Sequence, residues 1–334
     1  MQPVRRLAVT SLLALVLAGC GGDVEREEGS KGADDLAGVE FGDAIREAAS
    51  VKAGDLPATR GRTLQQIAGR LPAIKLGLAT SVYTPGSNRL AFGMLDQANA
   101  FVYGKTAVYL ARTPDGRALG PFPAPADPLV VEPPFRSRGA ADPSGEIAAI
   151  YNAQVDLPRA GRWYVLGVTR SQGKLFGASS VIEATPTDPI PAVGEQAPRV
   201  QTETLASAGG DIESIDTRVP PSGMHEADFR EVLGEKPVAL LFATPRLCQT
   251  RVCGPVVDIA AQMKREYGDR MEFIHQEVYV DNDVAKGLRP PLKAFELSTE
   301  PWLFTIDAEG RVAARLEGSF GTDEFRDAVD AALD

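Results

Sequence analysis

The chain is short of the residues that build most reactive centres. It holds three cysteines and two histidines in 334 residues, and the histidines, His225 and His275, lie well apart in sequence. His275 falls in the string Phe273-Ile274-His275-Gln276, which suits a core histidine on a strand better than a loop ligand beside a cysteine pair. No serine or carboxylate constellation stands out, and the glycines lack phosphate-loop spacing. No metal and no cofactor are therefore expected. A basic surplus is missing as well: the formal net charge is −10 and the arginines form no stripe, which argues against nucleic acid as a partner. The apolar run Leu7 to Ala18 is too short to span a bilayer comfortably.

What is present begins at that run. Arg5 and Arg6 precede it and Leu17-Ala18-Gly19-Cys20 ends it, the pattern of a secretory signal. The ending resembles the bacterial lipoprotein signal, in which the cysteine becomes the lipidated first residue of the mature protein. That resemblance implies lipidation at Cys20 and a lipid anchor on the extracytoplasmic face of a bacterial cell membrane. Cys248 and Cys253 are then the remaining thiols of an exported chain, where a disulfide between them is the default expectation.

The length exceeds a usual single core, so two domains with tethers are expected. Residues 1–20 read as the signal and 21–71 as a flexible tether, because its opening is charged, glycine-rich and almost free of aromatics. Short helices at Asp43 to Ser50 and from Thr63 to Leu71 are too brief to stand alone. From 72 to 184, short alternating runs are separated by turns such as Pro85-Gly86-Ser87-Asn88 and Arg159-Ala160-Gly161. They predict an antiparallel β-sandwich. The stretch Gly161-Arg162-Trp163-Tyr164-Val165 resembles a late strand of immunoglobulin-like modules, and Pro121 to Pro134, with its prolines, reads as a long loop. Residues 185–192 form a proline-rich linker.

From 193 to 334 the order of elements changes to strand and helix. Ser222 is read as capping a helix through Leu233, Val238 to Phe242 is a buried strand, Pro255 to Tyr267 an amphipathic helix, and Phe273 to Tyr279 a second strand. Leu292 to Leu297 is a short helical run. Trp302 to Ile306 and Arg311 to Leu316 flank the turn Asp307-Ala308-Glu309-Gly310, and Thr322 is read as capping a last helix with Phe325, Val329 and Leu333 on one face. This order, with the opening Val193-Gly194-Glu195-Gln196-Ala197-Pro198, resembles extracytoplasmic thioredoxin-like proteins of the redoxin superfamily. The fold class expected is thus an N-terminal immunoglobulin-like β-sandwich followed by an α/β thioredoxin-like domain.

The resemblance assigns roles around the string Phe242-Ala243-Thr244-Pro245-Arg246-Leu247-Cys248-Gln249-Thr250-Arg251-Val252-Cys253-Gly254-Pro255. Two registers onto the Trp-Cys-Gly-Pro-Cys pattern are open. Matching the literal Cys253-Gly254-Pro255 makes Cys253 the nucleophile. Aligning the flanks, the preferred register, makes Cys248 the attacking thiol, near a helix N-terminus that favours a thiolate, and Cys253 the resolving one. Arg246 and Arg251 stand near enough in sequence to lower the Cys248 pKa. Residues five apart on a helix lie ~7.5 Å along the axis, beyond disulfide reach, so Gln249 to Val252 must be irregular or must unwind as the bond forms. The Cys-x4-Cys pair also resembles that of atypical two-cysteine peroxiredoxins, but Pro245 stands where that family has a hydroxyl. Pro301 resembles the cis-proline facing the cysteines in the superfamily, with Glu300 before it in the substrate-binding position.

The function expected is a membrane-anchored thiol–disulfide oxidoreductase acting on exported protein thiols or disulfides, with an unidentified membrane electron donor or acceptor. The alternatives are a peroxiredoxin-like thiol peroxidase, and a non-catalytic redoxin-fold envelope binding protein with a structural disulfide.

Overall fold

A computed structural model describes residues 41–141, 147–248 and 252–334. Cys20 and the proposed signal lie outside these residues, as does Arg251. Two short helices lead in, α1 (Phe41–Ala49) and α2 (Leu64–Ala68). Eight strands follow: β1 (Lys75–Leu78), β2 (Gly86–Leu95), β3 (Lys105–Ala111), β4 (Leu119–Ala124), β5 (Ala126–Pro128), β6 (Ala149–Leu157), β7 (Gly161–Ser171) and β8 (Lys174–Ala184). They form two antiparallel sheets in the orders β1-β2-β6-β5 and β4-β3-β7-β8. Alternation explains the shared core. Leu90, Phe92 and Met94 of β2 and Tyr151 and Val155 of β6 face Val108, Leu110, Val165 and Phe176 of the other sheet. The β7–β8 hairpin turns at Gln172-Gly173, both with positive φ, as a tight right-twisted hairpin requires.

Two expectations are corrected in this half. Residues 41–71, read as tether, are packed from α1 onward: Ala44, Ile45 and Ala48 enter the inter-sheet core, while Leu56, Leu64 and Ile67 cover the outer face of β3 and β7. Each helix is too short to hold alone, and the apolar face it meets supplies what propensity does not. The proline-rich stretch, read as a loop, holds the end of β4 and all of β5. Both are edge strands, where a missing N–H is tolerated.

The second half carries a mixed sheet of β9 (Val238–Phe242), β10 (Glu272–Gln276), β11 (Trp302–Ile306) and β12 (Val312–Glu317), ordered β10-β9-β11-β12. β9 and β10 are parallel, and β11 runs antiparallel to both β9 and β12. The parallel pair requires a crossover, supplied by α4 (Cys253–Tyr267). Three further helices are α3 (Phe229–Val232), α5 (Pro290–Ala294) and α6 (Thr322–Leu333). This strand order, with its crossover helix and closing hairpin and helix, is a thioredoxin-like arrangement. One face of the sheet is packed by α4 and α6, and the other by α3, α5 and the 190–200 segment.

Two caps differ from expectation. Asp228, not Ser222, caps α3, accepting from the Arg230 N–H. At α6 the capping oxygen comes from the other half of the molecule: the Asp127 carboxylate accepts from the N–H groups of Gly321, Asp323 and Glu324. That helix end is one part of a broad junction. Ala91, Leu129, Val131 and Ile150, on the outer face of the β2-β6-β5 sheet, share a core with Val256, Val257, Ala260 and Met263 of α4 and Phe325 of α6. Arg89 adds a bidentate pair with Glu324 and bonds to the carbonyls of Glu317 and Ser319.

Candidate functional site

β9 is buried along its whole length, and its end delivers the chain into a turn at Thr244, whose carbonyl accepts from the Cys248 N–H at 3.0 Å. α4 then begins at Cys253 itself. The helix N-terminus therefore belongs to Cys253, five residues later than the helix-end placement expected for Cys248. Cys248 lies outside α4, so the helical separation that would keep two such sulfurs apart does not apply. The two thiols interact with each other. Residues 249–251, most of the segment expected to be irregular, lie outside the described residues.

The two thiols differ in environment. Cys253 has no exposed surface. Burial pushes its pKa well up, the contact with Cys248 adds to the rise, and the charge of Glu300 contributes last. Cys248 is half-buried and lines a cleft of about 450 Å³ with Arg138, Ala141, Ile147, Arg246 and Pro255. A larger cleft of about 680 Å³ adjoins it, walled by Leu78, Phe101 and Ile147 on one side and Val252, Thr299 and Glu300 on the other. Ile147 borders both. The Arg246 side chain is exposed.

Facing the thiols, the Glu300–Pro301 peptide is cis. Half-burial raises the Glu300 pKa, with the charge of Cys248 second, and the Tyr279 hydroxyl hydrogen-bonds its carboxyl. Tyr279 is a partner that sequence reading missed, since an aromatic after a strand carries no signal of its own. Trp302 is a core residue: it is buried, stacks on Phe304 and donates its Nε1–H to Thr299. The loop before Pro301 is tied to the first half through Glu317, which accepts from Thr299, from the Ser81 hydroxyl and from the Ser81 and Val82 N–H groups.

Buried acids absent from β9 occur on neighbouring elements. Asp258, on α4, pairs with Arg218 at 2.8 Å and accepts from Ser137 N–H and hydroxyl, while Arg218 also donates to the Phe135 carbonyl. Asp216 lies with His225 and His275 in a fully buried group. His275 is in the core as read from its strand, yet its ring meets two residues of the loop before α3 that single-residue reading left unconnected. These three are, among the described residues, the side chains placed to hold a metal ion.

No protein-family model and no curated protein matches the chain. Among solved structures it is similar to a Chlorobium tepidum protein provisionally assigned as the thiol:disulfide interchange protein DsbE, at 15% identity and a TM-score of 0.31 over 43% of this chain and 99% of that one. It is also similar to a thiol:disulfide interchange protein of the thioredoxin family from Chlorobium tepidum TLS, at 17% identity and a TM-score of 0.30 over 43% and 99%. A thioredoxin-like superfamily protein matches at 12% identity and a TM-score of 0.30 over 42% and 97%.

Proposed function

We propose that this chain is an extracytoplasmic thiol–disulfide oxidoreductase, held at a bacterial membrane through lipidated Cys20 and acting on exported proteins. The observation that carries the reading is the unequal pair: a half-exposed Cys248 in contact with a buried, high-pKa Cys253, opposite Pro301 at the end of a thioredoxin-like sheet. The order β1-β2-β6-β5 against β4-β3-β7-β8 supports an immunoglobulin-like first domain, whose ABED-type sheet has the same succession. Its wall of the larger cleft gives it a part in holding substrate.

In the reducing direction, the Cys248 thiolate attacks a substrate disulfide. One substrate sulfur leaves as a thiolate and takes a proton, and Cys248 is joined to the other. Cys253 then loses its proton and attacks Cys248 Sγ, releasing the second substrate thiolate and leaving Cys248–Cys253 as the disulfide. Two electrons pass from the pair to the substrate. Glu300, whose carboxyl interacts with both thiols and has a raised pKa, is the group suited to accept the Cys253 proton. A membrane electron donor would restore the dithiol.

The test is reduction of a model disulfide protein by the full chain, with Cys248→Ser and Cys253→Ser beside it. Activity lost in both variants, with a mixed disulfide trapped by Cys253→Ser, supports the reading. A pair potential above about −250 mV belongs to an exchangeable bond, and one below about −300 mV to a structural staple, which would sink it.

A further inference from the structure

The geometry points to a second centre, separate from the thiols: a site for one zinc-type divalent cation, built by Asp216, His225 and His275 with the Ser222 hydroxyl beside them. Every one of these residues is buried. Asp216, Ser222 and His225 come from the loop before α3, and His275 from β10.

The spacing is compatible with one shared ion: the ligand atoms of Asp216, His225 and His275 all lie within 4.8 Å of one another. Zinc bonds of about 2.0–2.1 Å give tetrahedral edges of about 3.3–3.4 Å. Here His225 Nε2 to Asp216 Oδ2 is 3.1 Å, His275 Nδ1 to Ser222 Oγ is 3.3 Å, Ser222 Oγ to His225 Nε2 is 3.4 Å and His275 Nδ1 to Asp216 Oδ1 is 3.7 Å. The last is too long for a hydrogen bond, and both serine contacts are long for a hydroxyl meeting an imidazole.

The groups behind His275 and Asp216 are set as metal ligands require. His275 Nε2 lies 3.0 Å from the Ala243 carbonyl, an acceptor only, so Nε2 carries hydrogen and a neutral ring turns its Nδ1 lone pair toward Asp216 and Ser222. A ligating histidine held through its other nitrogen by a backbone carbonyl is the usual outer arrangement. The Asp216 carboxylate is fixed by the N–H groups of Ser222 at 2.6 Å and Arg218 at 2.9 Å. Two signs of unfinished chemistry remain. Among the described residues, His225 Nδ1 and Glu277 Oε2 are buried without a partner, and Glu277 interacts electrostatically with both imidazoles. A divalent ion would offset both carboxylates. Two imidazoles with a carboxylate and a hydroxyl in a tetrahedron suit zinc over magnesium or calcium, which prefer all-oxygen shells.

The ion would fasten the loop before α3 to β10 and, through His275 and Ala243, to the end of β9, one residue before the turn that carries Cys248. It is independent of whether the thiols exchange disulfides.

The experiment is cobalt(II) and zinc(II) titration of the chelator-treated full chain, read by metal content and by the cobalt visible spectrum, in the Cys248→Ser/Cys253→Ser background. One cobalt per chain, with tetrahedral d–d bands and no sulfur charge-transfer band, is expected. Asp216→Asn and His225→Gln, nearly isosteric, should weaken binding by more than the about 10–100-fold that loss of an outer partner costs. Absence of binding by the folded double-serine chain overturns the proposal. So does binding unchanged in both ligand variants, or cobalt held only when the cysteines are present. Should either ligand variant fail to fold, stoichiometry and spectrum of the double-serine chain still decide.

Discussion

Cys248 and Cys253 belong to one motif but not to one environment, and single residues make the difference visible. Because burial holds the Cys253 proton, iodoacetamide at neutral pH should modify Cys248 alone, with Cys253 following only well above the ordinary thiol range; peptide mass spectrometry against pH reads this out. A linked stability effect has a definite sign. The folded pKa of Cys253 lies above the unfolded value of about 8.5, so above that pH the unfolded chain loses a proton the folded chain keeps. Stability of the reduced protein should fall as pH rises past that point, and a Cys253→Ser variant should lose that part of the slope. Glu300→Gln removes the proposed proton acceptor, and resolution of the mixed disulfide should slow by about 10²-fold or more at neutral pH, measured by single-turnover quench. The cysteines and Pro301 were legible in the sequence because each is rare or conformationally distinctive. Asp216 and His225 were not, since nothing in a loop sequence announces that it will fold back on His275.

At the scale of elements, periodicity located β9, β11 and α6 closely, because each buries a regular face. It misplaced what depends on a partner. β4 and β5 hide among prolines that only an edge position tolerates, and the cap of α6 lies nearly two hundred residues upstream in Asp127. That carboxyl is pushed up to about 7 by burial, against the pull of three N–H donors. Between about pH 4 and 7 the folded chain then binds a proton that the unfolded one releases. Stability should fall as pH rises through this window, with a slope of at most about 1.4 kcal/mol per pH unit from this group. Asp127→Asn should flatten it in urea unfolding at two pH values. The first turn of α4 offers another check. A Cβ on Gly254 would stand 2.5 Å from the Gly139 carbonyl oxygen, so Gly254→Ala should destabilise by about 1–3 kcal/mol despite the better helix propensity of alanine.

Over the whole molecule, the junction between the halves was the part least visible in advance. Sequence reading supposed two domains and a linker, a scheme that holds no information about Arg89 meeting Glu324 or Ser81 meeting Glu317 across more than two hundred residues. The Arg89–Glu324 pair is nearly buried, with side chains 12% and 11% exposed. Arg89→Ala would leave Glu324 and two carbonyls without their donor, at a cost of about 3–5 kcal/mol. Calorimetry should show one cooperative transition for the native chain, split into two in Arg89→Ala.

The seating of α4 has a mechanical consequence. Cys253 opens a helix whose next turns are clamped from two sides, by Val131 and Leu129 of the first half and by the Arg218–Asp258–Ser137 bonds. Cys248 is half-buried at the end of the Thr244–Cys248 turn, where the Thr217 hydroxyl accepts from the Arg246 N–H. Closing a sulfur–sulfur bond would then resemble a vice with one jaw bolted to the bench, the bolted jaw being Cys253. Were the pair to cycle as proposed, its change of shape would fall on the side of Cys248 and leave the clamped end of α4 in place.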